Sequence, residues 1–149
     1  MDPQIKRILL DVDKTESLPS KPLLAEIEAL VPELAALTGL ALTVDRLASA
    51  QNSNQLTQVC HRTEPVPDPA VRDRRIFTTV RFSFSRYGRL FTVGGNDVPD
   101  RIDELRLAEA VDQISATGFI YVPDEALQTM YDGHRNGWMT WGIRFFGVE

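Results

Sequence analysis

The sequence predicts an α+β fold: a mainly antiparallel mixed sheet with two principal helices packed on one face, with residues 1–149 as a single domain. Three observations carry this. A strand–turn–strand pattern occupies Arg75–Gly94, two apolar stripes of helical spacing flank it, and the rest divides into short apolar runs bounded by polar or turn residues.

In chain order, Ile5–Leu10 is short, apolar and bounded by polar residues, which predicts a strand. Thr15–Ser20 is a loop, with Ser20 as N-cap of the first helix and Pro22 in its opening turn. Leu23, Leu24, Ile27, Leu30, Val31, Leu34 and Leu37 keep helical spacing up to Gly39, the expected stop. Pro32 removes one backbone donor, so a kink is expected there. Leu40–Leu47 alternates weakly and Gln55–Arg62 follows as a further strand, separated from it by a polar turn. Pro65, Pro67 and Pro69 then require a loop.

In the hairpin, Ile76, Thr78, Val80, Phe82 and Phe84 share one face. A Ser85-Arg86-Tyr87-Gly88 turn would set Phe82 opposite Phe91 and Val80 opposite Val93. Pro99–Thr117 is the second helix, with Ile102, Leu105, Ala108, Val111 and Ile114 as its stripe. Phe119–Val122 is a strand, Pro123-Asp124-Glu125 opens a short helix, and Tyr131–Gly137 is a loop. Met139, Trp141, Ile143 and Phe145 alternate, which predicts a final strand.

Composition narrows the function classes. Hydrophobic residues make up 43% and charged residues 25%, as in an ordinary globular chain. No apolar run approaches the ~20 residues that span a bilayer, and Asp11 cuts short the apolar stretch near the N-terminus, so no signal peptide is read there. A cytoplasmic protein is expected, and the single Cys60 agrees, since it permits no intrachain disulfide. The net charge of −5 disfavours nucleic acid and anionic membranes. The charge is uneven: Arg72–Arg89 holds six Arg and one Asp, whereas Asp97–Asp112 holds six acids and two Arg.

The sharpest motif is Asp11-Val12-Asp13-Lys14-Thr15 after the apolar Ile8-Leu9-Leu10. It resembles the first motif of the haloacid dehalogenase superfamily of phosphatases. That resemblance, over about eight residues, implies Asp11 as phosphoryl-accepting nucleophile and Asp13 as general acid/base near Mg²⁺. The rest of the chain departs from the family. The lysines are Lys6, Lys14 and Lys21, so none stands late in the chain, and its centre is a hairpin rather than strand–helix repeats. The motif also reads as a strand-to-loop transition, where Asp is common.

Other candidates have simpler readings. Cys60 and His61 are neighbours on a predicted strand and point to opposite faces. Gly94-Gly95-Asn96-Asp97 matches no phosphate-loop or dinucleotide fingerprint. With two His and one Cys there is no metal-ligand spacing, so neither cofactor nor metal is expected. Arg81, Arg86 and Arg89 interleave with aromatics, a pattern that can bind single-stranded RNA, but Phe82 and Phe84 fall on the core face.

The leading expectation is a bacterial, non-enzymatic module that binds another protein or itself. In size and charge it has the character of small acidic antitoxin and immunity proteins. The expected surface is the hairpin end, Arg86, Tyr87 and Arg89, or the aromatic patch around Trp138. The alternative is a small Mg²⁺-dependent phosphoester hydrolase using Asp11 and Asp13.

Overall fold

The computed structural model describes residues 1–16, 18–45, 56–63, 77–94, 103–135 and 137–146. The element order is α1 (Pro3–Asp13), α2 (Ser20–Thr38), β1 (Thr43–Asp45), β2 (Leu56–Thr63), β3 (Phe77–Ser85), β4 (Leu90–Gly94), α3 (Glu104–Ala116), β5 (Ile120–Tyr121), α4 (Asp124–Leu127) and α5 (Trp141–Phe146). The strands lie in the order β1-β2-β3-β4-β5. The first four pair antiparallel and β5 joins β4 in parallel, so the sheet is mixed and mainly antiparallel.

Helices α2 and α3 cover one face. Leu23, Ile27, Leu30 and Leu34 of α2 and Ala110 and Ile114 of α3 pack on Val59, Val80, Phe82, Phe84 and Phe91. The other face carries a second core, where Leu9 and Val12 of α1 meet Leu90, Val122, Leu127, Trp141, Phe145 and Phe146. The alternation of β4 divides the two cores, with Leu90 in one and Phe91 in the other.

Several expectations are corrected. Ile5–Leu10 is not a strand but the middle of α1. Asp2 caps this helix, its carboxylate accepting from Gln4 N at 2.7 Å, and Pro3 takes the first helical position. Ile5, Ile8, Leu9 and Val12 then form an i, i+3, i+4, i+7 stripe. Helix α2 begins at Ser20 with Pro19 as its cap residue, includes Pro32, and stops at Gly39 in the left-handed conformation. The final strand is helix α5. Thr140 Oγ1 accepts from Ile143 N at 3.2 Å, and Trp141 stacks on Phe145 one turn later. Met139, expected on the inner face, is 73% exposed.

The hairpin is present, with its register moved by two residues. Phe84 faces Phe91 and Phe82 faces Val93, because the turn comprises residues 86–89. A shift of two preserves the faces, so Phe82, Phe84 and Phe91 are all fully buried. Gly88 adopts φ +59° and Arg89 φ +56°. A Cβ at Gly88 would stand 2.4 Å from a methyl of Val12, so glycine there also admits α1 against the hairpin. In α3 the buried stripe is Ala110 and Ile114, flanked by Leu107 and Val111, and the expected Leu105 is 74% exposed. The expected turns at 48–55 and 64–73, the Gly95-Asn96-Asp97 segment and the helix start near Pro99 lie outside the described residues.

Candidate functional site

The α1 assignment decides the Asp-x-Asp-x-Thr segment. Residues two apart on a helix are separated by roughly 200° around the axis, so their side chains diverge. Asp11 is exposed, whereas Asp13 is completely buried. Thr15 turns back on the helix end, its Oγ1 donating to Val12 O at 2.7 Å. The convergent carboxylates that phosphoryl transfer through Asp11 and Asp13 would need are therefore not formed. Among the described residues, no group of three His, Cys, Asp or Glu side chains is placed to hold a metal ion.

Asp13 instead centres a buried polar network. Its Oδ1 accepts from Arg144 Nε at 2.9 Å, and its Oδ2 accepts from Tyr131 Oη and from His134 N, each at 2.7 Å. Arg144 comes from α5 and is 2% exposed. Tyr131 and His134 come from the loop between α4 and α5. That loop wraps the carboxylate closely, since a Cβ at Gly133 would meet Asp13 Oδ2 at 2.5 Å. Arg135 closes the network, with its N donating to Tyr131 Oη at 2.8 Å and its Nε to Asp13 O at 3.3 Å. Beside it, Lys6 pairs with Asp132, which also accepts from Trp141 Nε1 at 3.3 Å.

Burial alone would push the Asp13 carboxyl up. The hydrogen bonds from Tyr131, His134 and Arg144, together with the Arg144 charge, outweigh it and hold Asp13 below its ordinary value. A depressed acid contributes stability that is present above its unfolded pKa and lost as pH falls through the folded one. The stability due to Asp13 should therefore persist from neutrality to about pH 4 and decline below it. Urea midpoints measured across that range should show a shallower acid decline in Asp13→Asn than in the parent. Equal slopes would remove Asp13 as the titrating group.

Arg144 also forms one wall of an open pocket lined by Thr15, Glu16, Tyr87, Arg135 and Trp138. The guanidinium lies 4.5 Å from the centre of the Tyr87 ring and 5.6 Å from that of Trp138. Among the described residues, its hydrogen bonding is confined to Nε.

The other expected binding residues are used by the fold. Arg86 donates through Nε and Nη2 to Leu18 O at 3.0 and 2.8 Å. Arg89 pairs with Glu26 at 2.6 Å, donates to Gly118 O and Thr117 O, and lies over the Phe119 ring. Tyr87 is half-buried against Phe145 and joins Trp138 at the pocket, so the two sequence-predicted surfaces meet there. Cys60 is buried and the neighbouring His61 half-buried, its Nδ1 donating to Ala41 O at 2.8 Å. Arg144 and Arg135 are not singled out by the sequence, whereas Tyr131 falls in the aromatic group expected around Trp138. The signal for Arg144 is an arginine one residue from buried Phe145 on a helix, legible only once α5 is recognised. No helix among the described residues is long and apolar enough to cross a membrane. No family model, no curated protein and no solved structure matches this chain.

Proposed function

We propose that the protein is a non-enzymatic binding module for another protein, antitoxin- or immunity-like in character, and that it engages its partner through the surface around Trp138. The observation that supports this is the convergence of Tyr87, Trp138 and Arg135 on one open pocket above Arg144. Trp, Tyr and Arg are the side chains that most often carry binding energy at interfaces. The hairpin arginines are weaker candidates, because Arg86 and Arg89 would have to leave Leu18 O and Glu26 to reach a partner.

The test is quantitative binding of a partner captured from the native cell and then purified. Trp138→Ala should weaken the complex by about 2 kcal/mol or more, the scale of a hot-spot residue, with the urea midpoint nearly unchanged. Arg86→Ala should act mainly on stability. A Trp138→Ala variant that binds as tightly as the parent would move the interface elsewhere. Sedimentation separates the case of a second copy as partner, because association through exposed charges weakens as salt rises.

A further inference from the structure

We infer that the Arg144 pocket is a carboxylate-binding site. The inference deepens the protein-binding reading, and it rests on that reading only for the source of the carboxylate. A guanidinium is a planar fork with two hydrogen-bonding edges. Asp13 does not grip Arg144 in the bidentate way. One oxygen takes Nε, while the other is held by Tyr131 Oη and His134 N. That leaves the terminal nitrogens without a hydrogen-bond partner among the described residues, on a side chain that is 2% exposed and lines the pocket. Tyr87 and Trp138 pack around the guanidinium, so the group is held in place before a ligand arrives. A carboxylate matches the spacing of the two terminal nitrogens and would satisfy both.

The rim defines the ligand further. Arg135 and Glu16 are both exposed there and offset each other. Selection therefore depends on donor geometry at Arg144 more than on net charge. Glu16 disfavours a dianion such as phosphate and can accept an N–H from the ligand's body. A peptide supplies that N–H beside its C-terminal carboxylate or a Glu side chain.

The experiment follows the Trp138 indole N–H by NMR during titration of the whole chain. The probes are sodium acetate, sodium phosphate, a short Glu-containing peptide with a free C-terminus, and its Gln-containing, amidated counterpart. Sodium chloride at matched ionic strength is the reference. Saturable shifts with acetate or with the free peptide support the site. Acetate alone assigns it to a free carboxylate, and tighter peptide binding assigns it to a protein's acidic group. Arg144→Lys keeps the charge but loses the fork, and should weaken binding about tenfold or more. Should that variant fail to fold, Arg135→Gln at the rim should weaken binding several-fold while the fold persists. The inference is overturned by responses equal to chloride, by phosphate binding more tightly than acetate, or by undiminished binding in the folded variants. Partner binding lost in Trp138→Ala would leave the protein-binding reading standing even then.

Discussion

Asp13→Ala is expected to cost about 3–5 kcal/mol of folding stability, because it strands the Arg144 guanidinium in the interior without its counter-ion. The same change removes the acceptor for Tyr131 Oη and for His134 N. Asp11→Ala, two residues earlier but exposed, should fall within about 0.5 kcal/mol of the parent. Urea unfolding with unchanged m-values would read both. Similar losses at the two positions would mean that α1 is not the helix described. The double change Asp13→Leu with Arg144→Met should lose much less than the two single losses combined, since removing both charges leaves no unpaired ion. That non-additivity would identify the pair, rather than general loss of packing, as the cause.

Phe84→Ala should be comparably severe, at about 3–5 kcal/mol. Its ring is fully buried, stacks on Phe91 at 5.9 Å and meets Phe119 edge-on at 5.1 Å, so truncation opens a cavity between the sheet and its two long helices. A domain commands only about 5–15 kcal/mol in all, so the variant should be near the edge of folding. Leu105→Ala, on the exposed side of α3, should be almost silent. A thermal scan in which Leu105→Ala falls as far as Phe84→Ala would show that the buried stripe of α3 is rotated away from Ala110 and Ile114.

The hairpin, the two long helices and the burial of Phe82, Phe84 and Phe91 were legible because each rests on local chemistry. Alternation, a glycine able to take positive φ, and apolar residues at helical spacing all lie within a few residues of one another. The two misread segments are those where short apolar runs fit either period. In Ile5–Leu10 the apolar run outweighed the Asp2-Pro3 cap signal just before it. In residues 139–145 a period of two and a period of four share Trp141 and Phe145, and the exposure of Met139 with the burial of Arg144 separates them. The pocket depended on both segments. With α1 as a strand, Asp11 and Asp13 would fall on the same face, and with α5 as a strand, Arg144 would point away from Trp141 and Phe145.

The sequence by itself determined the class of fold, the face that each central strand buries, and the disposition of the two helices on one face of the sheet, because periodicity records burial wherever an element is long enough to repeat it. Tertiary structure alone decided that Asp13 and Arg144, 131 positions apart, form one buried pair, and that Tyr87 and Trp138 enclose the guanidinium. A carboxylate at the end of an amphipathic helix is stable in water or in the interior. Which of the two it meets depends on whether a distant chain segment delivers enough donors to replace its hydration, and no local pattern encodes that.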